Sequence, residues 1–446
     1  MAQLKVLIVG AGIAGNAAAF WLSKLGHAVT VLERHPCLRI NGLQLDLRGD
    51  GIKAIRIMGL EEAIRSKLVP EEGVEIVDSA GHRKAYFPAN KTGKGAQSMT
   101  SEFEIMRQDL CRLLHDKAVE HGTTYIFGSS VESFEENGRE VDVKFTDGRT
   151  DRFDLVIGAD GQGSRIRRLL FGGIAEGTKD SSLRSLPGDQ RTAYFTAPRP
   201  IEEGEEYIAT AYLMPGKRFI LTRRHSPNEI QWYLRCPAST DRLKNAQKGD
   251  VKAEKEAFAE AFQDSGWRTD EVVKALKEGA DDFYCEHGGF VKLDNWSRGR
   301  VALLGDAAWC PTSNGYGTSA AIVGAYILAG EIATHYGRGD GTGTDNNKVD
   351  NAKDIGSSSN EDDALLSSLS AFETKLRPFI KQIQKGLSSD PNIFDKLPST
   401  WLTVAVFNFI AGVTAFLGLD IIASRLSEKD NIKGWELPGY KDMVQG

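Results

Sequence analysis

Gly10, Gly12 and Gly15 follow one another as G-x-G-x-x-G, and an acid, Glu33, closes the next apolar run. In that pattern the first glycine permits a tight turn, the second lets backbone N–H groups approach a pyrophosphate, and the third removes the Cβ between a helix and a strand. Ile13 and Ala14 begin that helix, whose N-terminus faces the anion. Glu33, with Arg34 beside it, can accept from the ribose hydroxyls of an adenosine and would repel a 2′-phosphate. On these residues alone the ligand is FAD or NAD. A second cradle lies near residue 310: Gly305-Asp306-Ala307-Ala308, then Gly315-Tyr316-Gly317-Thr318. Small residues again bare the backbone at a helix start, and Asp306 can accept from sugar or ribityl hydroxyls. Two such cradles on one chain point to one long ligand. A third cluster, Asp160-Gly161 with Arg165, Arg167 and Arg168 behind it, has two readings: a nucleotide contact, or a strand-end turn with surface arginines.

These residues need elements to position them. Lys5 to Arg34 reads as strand, glycine turn, helix packed through Ala14 and Ala17 to Ala19, and second strand Ala28 to Leu32. Helical periodicity follows at Gly51 to Lys67 and Glu104 to His121, and short strands at Thr124 to Phe127, Ser130 to Phe134, Val141 to Phe145 and Phe153 to Ile157. From Thr192 to Arg235 the chain is a strand meander, residues 251–279 are helical, and Arg300 to Leu304 returns to a buried strand before the small-residue helix Ser319 to Ile332. The predicted fold class is α/β: a Rossmann-like dinucleotide domain from residues 1–175 and 285–385, an inserted, mainly antiparallel β-sheet substrate domain at 176–284, and a C-terminal apolar helix at 396–426. Residues 338–363, rich in Gly, Ser, Asn and Asp, read as a disordered insertion.

The meander offers Tyr207, Tyr212, Met214, Phe219, Leu221, Trp232 and Tyr233 as walls for a planar substrate. Alternation puts Tyr212 and Met214 on one face and Tyr207 and Leu213 on the other, so one face lines a site and the other a core. The substrate set taken from it is Tyr212, Met214 and Trp232, with Arg223 as partner for an enolate or phenolate. Core packing is the competing reading for each aromatic, and an exposed sheet position for the arginine.

Composition narrows the class. The 446 residues carry 55 basic and 61 acidic side chains, net -6, without a basic block, which speaks against a nucleic-acid partner. Five scattered cysteines show no C-x-x-C pair and no metal-ligand spacing, so a reduced, cytoplasmic setting and no metal are expected. Cys310 beside Pro311 reads as a small buried filler. Thr400 to Ile422 approaches the length of a membrane span; burial between the domains and weak membrane contact are its two readings.

The three motifs together, G-x-G-x-x-G with a distal Glu, D-G-x-x-S-x-x-R at Asp160 to Arg167, and G-D-A-A at Gly305 to Ala308, resemble the single-component flavin-dependent aromatic hydroxylases and occur in that family's order. The Gly315 to Thr318 turn and the Ala325 to Ala329 helix resemble most the tetracycline-inactivating and fungal polyketide or alkaloid monooxygenases. The resemblance implies FAD as resident cofactor, NAD(P)H as a transient co-substrate without a nucleotide fold of its own, and O2 as oxidant for hydroxylation or epoxidation of a polycyclic or aromatic small molecule in secondary metabolism or xenobiotic modification. It places Gly10, Gly12 and Gly15 at the pyrophosphate, Glu33 at the ribose, Asp306 at the ribityl chain, Gly315 to Thr318 at the flavin edge, and Arg107 on the FAD. It further places Gln44 and Arg48 near the isoalloxazine, and Asp160 toward FAD and NADPH. The chain departs from that family where Trp309 stands for a common His and Gly324 for a common Asp. A flavin reductase without oxygen chemistry and a non-catalytic flavin-binding regulator are the alternatives.

Overall fold

The computed structural model describes residues 3–39, 42–91, 100–172, 182–185, 189–310, 315–336, 357–385, 398–419 and 432–444. Its centre is a six-stranded sheet ordered Ser297–Arg298, Val301–Leu303, Leu155–Gly158, Lys5–Val9, Ala28–Glu33, Thr124–Phe127. All pairings are parallel except the short edge hairpin of Ser297–Arg298 with Val301–Leu303. Such a sheet is buried on both faces, which explains why its strands read as continuous apolar runs. Ile13–Lys24 and Gly317–His335 pack against one another in the main core; the alanines and glycines of both helices let the backbones approach. Gly317–His335 is apolar enough to cross a membrane by composition, yet it is almost wholly buried and serves as the core helix.

A seven-stranded sheet stands beside this core, ordered Tyr284–His287, Gln190–Pro198, Glu229–Pro237, Arg218–Ser226, Ile208–Met214, Gly73–Val77, Arg83–Pro88. It is antiparallel but for the pairing of Ile208–Met214 with Gly73–Val77. Its last two strands lie within 1–175, so the sheet draws on chain from outside the 176–284 insert. One face is covered by the helices Val251–Phe262 and Thr269–Glu278, whose Phe258, Phe262 and Leu276 pack on Tyr212, Met214, Trp232 and Leu234. A two-stranded ribbon, Gln44–Leu47 with Phe103–Met106, links the two sheets.

Local boundaries differ from expectation where one apolar run served two partners. Phe153 to Ile157 is not one strand: Thr150–Phe153 closes a three-stranded antiparallel sheet, and Leu155–Gly158 turns into the parallel one. Glu104 to His121 divides into the ribbon strand Phe103–Met106 and the helix Arg107–Glu120. Of the segment expected to be disordered, residues 338–356 lie outside the described residues, and Ser357 already begins the helix Ser357–Ile383, so the 338–363 boundary was too long.

The C-terminal helix Trp401–Phe416 is not buried between domains. It lies on the strand Arg83–Pro88, with only Val404, Asn408 and Ala411 buried, and Gly412 lets it close on the Lys84 carbonyl, 2.8 Å from where a Cβ would stand. Leu402 is 73 % exposed, Phe409 73 %, Ile410 57 % and Phe416 90 %.

Candidate functional site

The first glycine turn is built by close approach. Gly10 has φ +109°, and a Cβ there would lie 2.5 Å from the Ala159 carbonyl oxygen; at Gly15 it would lie 1.9 Å from the Gly10 carbonyl oxygen. The helix Ile13–Lys24 therefore starts directly on the strand Lys5–Val9, with Gly12 at its cap position and no side-chain cap. Gly317–His335 likewise begins without a side-chain cap. Both uncapped N-termini, through Ile13, Ala14, Gly317 and Thr318, open onto one cleft of ≈ 530 Å³. This lies within the roughly 300–1,000 Å³ of ligand clefts, and unpaired helix-end N–H groups are what an anion needs.

Gly10, Gly12, Glu33, Arg34, Arg107, Asp160 and Asp306 line the same cleft. Glu33 is buried and oriented by the N–H groups of Ala11 (2.9 Å) and His35 (3.0 Å). Asp306 opens to the cleft and is exposed along it, yet the protein packed around it, reinforced by Glu286 and opposed by Arg107, pushes its carboxyl up to about 6. Arg107 rises beside Gly42, which leaves room for its stem, while Arg39 places its guanidinium 5.8 Å from the centre of the Tyr284 ring.

The remaining site residues sit around this cleft. Gly15 and Gly305 are packing positions: a Cβ on Gly305 would meet the Ala14 methyl at 2.8 Å, so the two cradles touch. Gly315 faces the Asp46–Arg48 pair, and the Arg48 backbone N–H donates to Ser319 Oγ at 2.8 Å. The Gln44 side chain turns away to donate to Glu71 (3.0 Å) and Glu104 (3.3 Å). Asp160 accepts from Ser164 Oγ and the N–H groups of Arg165 and Ile166, fixing the start of the helix Arg165–Phe171 while its edge lines the cleft. Arg167, read either as a nucleotide contact or as a surface arginine, is fully buried and donates to the carbonyls of Ala307 (2.8 Å) and Gln162 (2.7 Å), fastening this motif to the second cradle. Neither carbonyl is visible in the spacing, so sequence reasoning missed that role.

The substrate set requires correction. Tyr212, Met214 and Trp232 are each 1 % exposed and belong to the helix-covered core, with Tyr212 donating to the Ser265 carbonyl. The opposite parity faces the cleft. Tyr284 and Glu286 line it, and Tyr194 and Tyr233 continue from them on the same sheet face. Tyr194 stacks on Tyr284 (ring centres 4.8 Å apart) and meets Tyr233 edge-on at 5.6 Å. Arg223 also points to this side but is not available to a substrate anion: it is bonded to Glu71 at 2.8 and 2.6 Å, to Glu104 at 2.8 Å, and stands 3.6 Å from Asp46. Burial pushes Glu104 up to about 8 despite Arg223, whereas Arg223 and Arg48 hold Asp46 below the usual range.

A second cavity of ≈ 630 Å³ lies under the C-terminal helix and is lined mainly by that helix's apolar side chains with Tyr212 and Leu213. Glu254, Cys285 and His287 approach within 4.8 Å on the far side of the sheet. The Arg191 guanidinium rests against His287 and puts a cation where a metal would bind.

Residues 3–348 match the family described as FAD binding domain. The chain belongs to that family. It is 44 % identical over 447 residues, the full length of both chains, to the FAD-dependent monooxygenase asL4 of Sarocladium schorii, and 40 % identical to the flavin-dependent monooxygenase eupH of a Phoma species over 99 % of this chain and 98 % of that one. Among solved structures, the tetracycline destructase Tet(51) superposes with TM-score 0.70 at 25 % identity, covering 99 % of this chain and 100 % of that one. The chain is an FAD-dependent monooxygenase, with FAD as cofactor and NAD(P)H as co-substrate.

Proposed function

We propose that the protein uses NAD(P)H and O2 to insert oxygen into a polycyclic or aromatic small molecule held against the Tyr194, Tyr233 and Tyr284 face. Gly10, Gly12, Ile13, Ala14 and Arg34 would hold the FAD pyrophosphate end, Glu33 the ribose, Asp306 the ribityl chain, and Gly317 and Thr318 the flavin edge, with Arg107 and Asp160 alongside. When bound, FAD would carry the reducing equivalents of NAD(P)H to O2 and so supply the oxygen activation. The protein's part is to bind, orient and exclude water: the stacked pair Tyr194 and Tyr284, with Tyr233 edge-on to Tyr194, gives an aromatic wall for that purpose. The observation that carries this reading is continuity, because Tyr284 and Glu286 from the second sheet line the same cleft as Gly10 and Asp306. The name of the destructase neighbour supports a polycyclic substrate. The test is O2 and NAD(P)H consumption by purified protein against a panel of phenols and polyketides. Substrate-stimulated uptake with a product heavier by one oxygen is expected; anaerobic turnover, or a flavin that NAD(P)H cannot reduce, would defeat it.

A second reading concerns the C-terminal helix, which we propose makes a peripheral contact with lipid. It carries no charged residue from Trp401 to Phe416 and exposes apolar side chains on all but one stripe. A helix of this length offers a ridge of roughly 24 by 10 Å, well below the ~800 Å² per partner of a stable dimer, and a convex ridge is covered by a fluid more readily than by a flat protein face. Co-sedimentation with phosphatidylcholine vesicles, abolished in F409D/I410D, is the expected result; an unbound wild type sinks the idea. A cytoplasmic location fits the five free thiols, four of them buried or half-buried.

A further inference from the structure

The edge strand Tyr284–His287 sends Glu286 into the cleft from the side opposite the glycine turns. Its carboxylate accepts from Tyr194 Oη at 3.1 Å, and Tyr194 is itself stacked on Tyr284, so the acid is held by the aromatic wall rather than left to swing. The charges within its field are Asp306 from the second cradle, Arg107 from the helix after the ribbon, Arg39 from the loop after the second strand, and Lys248 from the loop before the helix Val251–Phe262. Tyr284 and Cys310 also lie within its field. Four acids, Glu33, Asp160, Glu286 and Asp306, and five arginines, Arg34, Arg39, Arg107, Arg165 and Arg168, thus line one cleft. Asp306 is committed to the cradle in the reading above, which leaves Glu286 as the acid contributed by the substrate side.

We propose that Glu286 is a positioning residue that keeps a negative charge beside the flavin and thereby lowers the reduction potential of bound FAD. The inference rests on the cleft being the FAD site. Two-electron reduction by NAD(P)H adds electron density to the flavin, and a carboxylate held on the cleft wall opposes that addition, whereas Arg39 and Arg107 favour it. The acid therefore sets how readily the flavin is reduced before a substrate arrives, and a substrate that donates a hydrogen bond to Glu286 neutralises part of the opposition. Burial raises the Glu286 carboxyl above the ordinary range, with Tyr194, Lys248, Arg107 and Arg39 pulling it back. Although Glu286 is open to solvent along the cleft, its charge is consequently lost on acidification earlier than that of an ordinary glutamate.

The experiment is a spectroscopic redox titration of substrate-free holoenzyme at pH 8 and pH 5, comparing wild type with Glu286→Gln, Glu286→Ala and Glu286→Asp. At pH 8 the Gln and Ala variants are expected to favour reduced FAD about tenfold more than wild type, which is about 30 mV for a two-electron couple. Asp should restore most of the wild-type value. The difference should shrink as the pH falls toward 5, because the raised Glu286 carboxyl loses charge in the wild type while Asp306, relieved of Glu286, keeps more of its own charge in the neutral variants. Either neutral variant with FAD bound and an unshifted potential overturns the proposal, as does a shift to lower potential. A wild type that binds no FAD overturns the reading of the cleft, and this inference with it.

Discussion

Replacing Arg223 by Met separates two accounts of this residue. If Arg223 served a substrate anion, the variant would fold as wild type and bind substrate poorly. The structure instead surrounds its guanidinium with Glu71, Glu104 and Asp46, all buried or nearly so, at 2.6, 2.8 and 3.6 Å. Truncating one partner of a buried ion cluster typically costs about 3–5 kcal/mol, because the charges left behind remain desolvated. Here Glu104 relieves part of that by taking a proton, but Glu71 still accepts from Thr100 and Gln44 and has no other cation within the cluster. The expected loss in R223M is therefore about 3 kcal/mol, read by urea unfolding of FAD-loaded protein followed through tryptophan fluorescence. Neutralising the acids as well, in R223M/E71Q/E104Q, should recover at least half of it, since the hydrogen bonds survive without the charge. A single variant within about 0.5 kcal/mol of wild type would refute the argument, and a raised KM with intact stability would return Arg223 to the substrate.

Glu104→Gln is expected to flatten the stability profile: the folded carboxyl, held near 8 against an ordinary 4.5, contributes stability that is full below 4.5 and lost as the pH rises through about 8. A variant whose melting temperature follows the wild-type pH slope across that window would contradict this. In Gly15→Ala, the helix-propensity gain of about 1 kcal/mol should be overwhelmed by a Cβ placed 1.9 Å from the Gly10 carbonyl, leaving a net cost of about 2 kcal/mol and an FAD-depleted protein, judged by the flavin-to-protein absorbance ratio. Gly324→Asp alone should cost about 3 kcal/mol, because a Cβ there meets the Trp309 ring at 2.8 Å, and W309H/G324D should cost clearly less than the sum of its parts in a thermal-melt double-mutant cycle.

That last pair shows what one sequence does and does not reveal. Trp309 and Gly324 stood as two separate departures from the aromatic hydroxylase pattern; in space they are one exchange, the indole filling the volume that a larger residue at 324 would need. The strand, turn and helix of Lys5 to Arg34 were legible because their constraints are local: glycine spacing, small helix residues and alternation all act within a few residues. The face of the meander was not. Alternation separates Tyr212 and Met214 from Leu213 and Tyr207, but only the helices Val251–Phe262 and Thr269–Glu278, arriving later in the chain, decide which set is core. Arg167 and Arg223 were misread for a related reason, since an arginine looks alike in sequence whether it meets water or a buried carbonyl or carboxylate. The C-terminal helix failed in the other direction: its apolar composition predicted burial, and the sheet beneath it accepts only one stripe.

The order of strands in the parallel sheet also governs how this protein is made. Val301–Leu303 pairs with Leu155–Gly158, and Gly317–His335 covers the helix Ile13–Lys24. Synthesis at about 5–20 residues per second separates the two strands by roughly 7–30 s and the two helices by roughly 15–60 s. Throughout that interval the first glycine turn can form but the second cradle does not exist, and Phe20, Trp21 and Leu22 lack the helix that later covers them. The nascent chain thus emerges with the apolar helix Ile13–Lys24 waiting for a partner some three hundred residues later, so a ribosome that stops before residue 335 releases a sticky fragment unable to close around cofactor.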